Sequence, residues 1–284
     1  MARKLETLVE GIVFGEGPRW HAGRLYYSDI KSHRVEAVDL DGKRETVARL
    51  PGEPSGLGWL SDGRMLVVSM EDHRLLRADP DGLREVADLS PHCGGKANDM
   101  VVDAQGRAYV GNIGFDLDAQ PIAPKPTNLV RVDPDGSVHV AARELWCPNG
   151  LAITADGRTL VAAESAAGRL AAFDVAADGS LSGQRVFATL PEGAAPDGIC
   201  VDAEDAVWVA SPTTREFLRV REGGEVAERI PSGDRIAIAC ALGGPGRRTL
   251  FLITSTTTSL AEAGRGRTGR IETCEVAVPG AGWP

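Results

Sequence analysis

Apolar positions along this chain gather in short runs separated by polar, turn-forming residues, and nothing between the runs sustains a helical period. Six runs read as strands: RLYYSDI (24–30), RMLVVSM (64–70), RAYVGNI (107–113), RTLVAAES (158–165), AVWVAS (206–211) and RTLFLITS (248–255). Asp-Gly pairs punctuate them at 41–42, 62–63, 81–82, 135–136, 156–157 and 178–179. Both residues tolerate the positive φ of a type I′ turn, so these pairs predict hairpins. The pattern predicts an all-β chain.

The residues just before the six runs, Gly23, Gly63, Gly106, Gly157, Asp205 and Arg247, are spaced by 40, 43, 51, 48 and 42. A period in the forties with several short strands per unit predicts propeller blades, and six units predict a six-bladed β-propeller. The first unit reads as four strands, GPRWH, RLYYSDI, RVEAVDL and KRETVARL. The last supplies only three, AIACALGG, TLFLITS and GRIETCEVAV. The N-terminal segment LETLVEG (5–11) is expected to add the missing strand and close the ring, which removes an exposed sheet edge. With no linker visible, residues 1–284 are expected to form a single propeller domain.

Composition narrows the function. At 284 residues, 43% hydrophobic and 25% charged, the chain is neither disordered, collagenous nor coiled coil. A net charge of −9 argues against a nucleic-acid or anionic-membrane surface. Its five scattered cysteines include no CxxC pair, so neither a structural zinc site nor a disulfide framework is indicated. The start, MARKLETLVEG, has no apolar signal region, and no apolar stretch is long enough to span a bilayer. The expectation is a soluble cytoplasmic protein, a monomer or dimer, with neither a nucleic-acid nor a membrane partner.

Superimposing the units exposes the position that opens each first strand: Glu16, Ser55, Asn98, Asn149, Asp197 and roughly Ala239. First strands are innermost in a propeller, so these positions ring the central channel. Four of the six carry a carboxylate or amide oxygen, which suits a hard cation. Taken singly, Asn149-Gly150 and Asp197-Gly198 are turn dipeptides. Their shared register, and the presence in it of Glu16, which has no turn propensity, favour ligation.

The motifs FGEGPRW, ANDMVVDAQGRAYVGN, CPNGLAITADGRTL, PDGICVDAEDAVWVAS and CALGGPGRRTLFLITS resemble those of the SMP-30/gluconolactonase/LRE-like (regucalcin-type) family. The resemblance covers residues 10–278. It implies a six-bladed propeller with one divalent metal ion in the channel and hydrolysis of sugar lactones. By motif match, Glu16, Asn149 and Asp197 would be the metal ligands, and Asn98 would face the substrate or a metal-bound water. Asp197 would also be the catalytic base. Two negative charges balance a divalent ion, and an oxygen-only shell favours Ca²⁺, with Mg²⁺, Mn²⁺, Zn²⁺ or Fe²⁺ as alternatives. The expected partner is a small-molecule lactone.

Two features depart from the family. Lys96 stands where an arginine often precedes the blade-three asparagine, and a point donor replaces a fork there; Lys96 is expected to bind substrate. GNIGFD replaces a more polar run, so Gly111–Phe115 could line an apolar pocket. A phosphotriesterase-like hydrolase and a noncatalytic metal- or ligand-binding propeller are therefore the alternatives. The loops at 116–128 and 255–269 are expected to lie as lips on the binding face. Strand alternation is expected to turn Asp99 away from the channel, and Cys93 and Cys147 lack a partnered base.

Overall fold

A computed structural model describes residues 3–117, 119 and 121–282; Asp118 and Gln120, in the predicted loop 116–128, lie outside the described residues. Its strands assort into six four-stranded antiparallel sheets, each built from strands consecutive in sequence except the last. That last sheet joins Ile236–Gly243, Thr249–Ser255 and Gly269–Glu275 to the N-terminal strand Glu6–Ile12, which pairs antiparallel outside Gly269–Glu275. The predicted closure is thus observed. Val9 and Ile12 fix that strand, because both side chains are buried on the blade-six core, and Ile12 alone contributes about 2 kcal/mol by leaving water.

Six innermost strands surround the channel: Gly15–His21, Pro54–Trp59, Ala97–Val102, Pro148–Ile153, Ile199–Val201 and Ile236–Gly243. Each touches the next, and the sixth touches the first, so the sheets form a six-bladed propeller. Inner strands are pressed between neighbouring blades, and Pro54–Trp59 and Ala97–Val102 are buried throughout. The outermost strand Arg44–Arg49 instead reads RETVAR, with one face in solvent. Apolar residues therefore fill the spaces between blades, while the channel keeps polar side chains at one mouth.

The Asp-Gly hairpins form, with a different turn from the expected type I′. The glycines Gly42, Gly63, Gly136, Gly157 and Gly179 have φ between +71° and +86°, but none of the aspartates before them has positive φ. At the second of these, Leu60 accepts from Gly63 N at 2.9 Å and donates to Arg64 O at 2.9 Å. The aspartate side chain then accepts from the residue beyond the glycine, as Asp62 does from Arg64 N at 3.0 Å and Asp178 from Ser180 N at 2.9 Å. That local hydrogen bond favours a type I turn closed by a left-handed glycine, the geometry of longer hairpin loops.

Candidate active site

Glu16, Ser55, Asn98 and Asn149 are the second residues of their inner strands, and Asp197 stands two residues before Ile199–Val201; Ala239 departs from the predicted column, as the fourth residue of Ile236–Gly243. The residue after four of them is glycine, and Gly150 and Gly198 explain why. Neither has positive φ, so the Asn-Gly and Asp-Gly pairs here are not turns. A Cβ on Gly150 would stand 2.5 Å from Ile199 N and 2.6 Å from Asp197 O, and one on Gly198 would collide with Ala239. The inner strands approach so closely that only a hydrogen fits between blades. Gly150 N donates to Asp197 O at 3.2 Å and Gly198 N to Ile238 O at 2.9 Å, locking blades four, five and six together at this level.

That locking brings Asn149 and Asp197 into contact: Asn149 Nδ2 donates to Asp197 Oδ1 at 2.5 Å. The other end of the amide, Asn149 Oδ1, is buried with no hydrogen-bond partner. A lone buried acceptor costs about 1–3 kcal/mol unless something electropositive meets it. Glu16 is close enough to feel Asp197. Burial, then the charges of Asp197 and Asp99, hold its carboxyl well above the usual range, although Gly17 N donates to its Oε2 at 3.0 Å. Burial likewise pushes Asp197 up to about 7, against the hydrogen bond from Asn149. Two crowded carboxylates and an orphaned amide oxygen form a donor set that fits one hard divalent cation. Among the described residues, no three His, Cys, Asp or Glu side chains form a metal-binding cluster; this group joins two carboxylates to an amide.

Asn98 is buried beside this group, with its Oδ1 3.4 Å from Ser55 Oγ. Lys96 stands at the rim, where its ammonium donates to Glu53 Oε2 at 2.9 Å and Glu71 Oε1 at 2.8 Å. Glu53, whose side chain is 2% exposed, also pairs with Lys31 from blade one. Only about a third of Lys96 is exposed, so any substrate group it meets must share it with two carboxylates. Sequence reading missed Glu53, because no residue spacing links positions 31, 53, 71 and 96.

Asp99 departs from expectation. The register of Ala97–Val102 against its neighbour shifts between Ala97 and Met100, so strict alternation fails there. Its carboxylate accepts from Arg19 Nη2 of blade one at 2.9 Å and 3.0 Å, and Arg19 also donates to Met100 O at 2.6 Å. This buried pair forms a floor under the mouth. Beyond it lies a cavity of about 290 Å³ lined by the far ends of the inner strands, including Trp20, Ile153, Cys200 and Leu242. Cys147 lies near Asp197 but burial pushes its thiol up to about 12, which suits a packing role. Ile113 is buried in a cluster with Phe14 and Cys147, and Phe115 packs against it, so the GNIGF segment does bring apolar surface near the site. The second strands of blades three and six end at the mouth where the inner strands begin, since Asn112 pairs with Ala97 and Ser255 with Ile236; Leu260–Ala263 is a short helix in the connection that follows Ser255.

The fold and the oxygen-bearing mouth define a class: six-bladed propellers whose innermost strands present carboxylate and amide groups to the channel. Within it, the chain belongs to the SMP-30/gluconolactonase/LRE-like family, whose model matches residues 14–257. It is 28% identical to a 6-deoxy-6-sulfogluconolactonase of Pseudomonas putida, over 96% of this chain and 94% of that protein. It is 27% identical to a pentonolactonase of Haloferax volcanii, over 89% of this chain and 85% of that one. Among solved structures, a calcium-binding protein, regucalcin, from Agrobacterium tumefaciens superimposes with a TM-score of 0.82 at 21% identity, covering 100% of this chain and 97% of that one. At that identity the superposition speaks for the fold. Among the described residues, no helix is long and apolar enough to cross a membrane.

Proposed function

We propose that the protein hydrolyses lactones, sugar lactones or related cyclic esters, with one divalent cation held by Glu16, Asn149 and Asp197. The observation that carries the cation is Asn149 Oδ1, a buried acceptor without a partner, set beside two carboxylates whose charge burial penalises. Such oxygen donors suit Ca²⁺ first, and Mg²⁺, Mn²⁺, Zn²⁺ or Fe²⁺ after it. When bound, the ion supplies Lewis acidity towards an ester carbonyl. The lactone reading draws support from the two lactonase relatives, each matched over most of its length.

In this reading Asp197 is the general base. Its carboxyl, near 7 without a counter-charge, is ionised at neutral pH once positive charge stands beside it. The hydrogen bond from Asn149 Nδ2 leaves Oδ2 to take a proton from water as that water adds to the carbonyl carbon. Returning the proton to the ring oxygen as its bond to the acyl carbon breaks releases a hydroxy acid. Asn98 and Lys96 orient the substrate, Lys96 with its ammonium aimed by Glu53 and Glu71.

The test is a pH-indicator assay over aldonolactones and simple aromatic and aliphatic lactones. It uses protein as purified, after chelation, and after return of Ca²⁺, Mn²⁺, Zn²⁺ or Fe²⁺. Turnover abolished by chelator and restored by one ion is the expected result. Stoichiometric metal binding without turnover on any lactone would instead favour a binding propeller or a phosphotriesterase-like hydrolase.

A further inference from the structure

Away from the oxygen-bearing mouth, two thiols meet in the channel wall. Cys200 lies on the inner strand of blade five and Cys240 on that of blade six, and their sulfurs are 3.8 Å apart. The close packing of Gly198 on Ala239 forces this contact, because it draws the two inner strands together two residues before Cys200 and one before Cys240. All five cysteines are free. Cys200 is half-buried and lines the 290 Å³ cavity at the far mouth, whereas Cys240 lies beneath it at 1% exposure, its thiol directed at Trp208 O, 3.5 Å away.

We infer that Cys200 and Cys240 are an oxidisable pair that peroxides reach through the far-mouth cavity, closing a disulfide between blades five and six. The Cys200 sulfur attacks one peroxide oxygen, giving the sulfenic acid and releasing water or an alcohol. The Cys240 thiol then displaces the sulfenic hydroxyl as a second water, so two thiols are oxidised and one peroxide bond is reduced. Sulfurs already in contact need only side-chain rotation and a small approach of the strands to bond.

Burial, with Cys240 beside it, keeps the Cys200 thiol well above its usual value, so little thiolate is present at neutral pH. The pair is accordingly a slow staple rather than a fast sensor. The loop it closes spans 40 residues and contains the outer strands of blade five, so the oxidised chain has fewer unfolded conformations and a higher melting temperature. Neither thiol belongs to the oxygen cluster, so this inference stands or falls apart from the lactonase reading.

The test is prolonged incubation of the intact protein with millimolar hydrogen peroxide, followed by thiol titration in denaturant and peptide mass mapping. The expected result is a fall from the five thiols of the sequence to three, a mass loss of about 2 Da and a Cys200–Cys240 linked peptide. Cys240→Ala should stop at a Cys200 sulfenic acid that dimedone traps, and Cys200→Ala should leave Cys240 reduced. Five unchanged thiols, sulfinic acid on Cys200 of the parent protein, or linkage through other cysteines would overturn the inference.

Discussion

Arg19 and Asp99 sit on the inner strands of blades one and three, and their side chains meet in an ion pair only 6% and 4% exposed. The pair spans the channel between the oxygen-bearing mouth and the far cavity, next to Glu16 and Asp197. Protein groups supply its other contacts: Asp99 also accepts from Met100 N at 2.9 Å, while Arg19 donates through Nη1 to Pro18 O at 2.9 Å and through Nη2 to Met100 O at 2.6 Å. The two charges thereby replace the water they lost with protein dipoles.

Removing one partner should therefore cost more than removing both. Arg19→Met leaves a buried carboxylate and is expected to destabilise the protein by about 3–5 kcal/mol, while Arg19→Met with Asp99→Asn should recover a large part of that. Urea unfolding of the parent, both single variants and the double variant gives the coupling energy. Additive losses would show that the pair is not coupled.

Asn149→Ala removes the orphaned oxygen, and Asp197→Asn removes a carboxylate charge. Each is expected to weaken Ca²⁺ binding at least about tenfold, read by calorimetric titration of chelator-treated protein. Parent-like affinity in both variants would remove Asn149 and Asp197 from the cation site.

Gly150→Ala tests the packing that aligns the site. The added methyl would press on Ile199 N and Asp197 O, and the expected loss is about 1–3 kcal/mol of stability together with weaker metal binding. Gly264→Ala is the control: its nearest neighbours would be at 3.6 Å, so it should unfold like the parent. Equal midpoints for the two variants would mean that the blades can part without cost.

Glu53 carries the pH dependence of the rim. Burial disfavours its charge, but hydrogen bonds from Lys31 and Lys96 outweigh burial and hold its carboxyl below the usual range. A carboxyl lowered by folding adds stability above its unfolded value, and that stability is lost as pH falls through the folded one. Glu53→Gln should be less stable than the parent by about 2 kcal/mol near neutral pH, with the gap closing below about pH 4. Denaturation midpoints across that range decide it, and a gap independent of pH would assign the loss to packing.

Much of the architecture is written locally. Asp62-Gly63 and its counterparts mark hairpins because aspartate hydrogen-bonds its own turn and glycine accepts left-handed φ, so the forty-residue period could be counted from residue types alone. The unpaired run at 5–11 announced the closing strand, because six blades of four strands left one place empty. The column of Glu16, Asn98, Asn149 and Asp197 was legible for the same reason: one register repeated in each blade.

What the repeat could not tell is how the blades press on one another. Gly150 and Gly198 look like turn glycines in the sequence, yet they are spacers between strands about 50 residues apart or closer, a role visible only when Asp197 O and Ala239 are in place. Strand alternation sent Asp99 outward, and a register shift turned it to Arg19, 80 residues away. The same holds for Glu53 between Lys31 and Lys96, and for Cys200 against Cys240. Backbone pattern depends on neighbours in the chain, so the sequence determined the blades and the ring of oxygens. Ion pairs, thiol contacts and the approach of inner strands depend on neighbours in space, and only the closed propeller decided those.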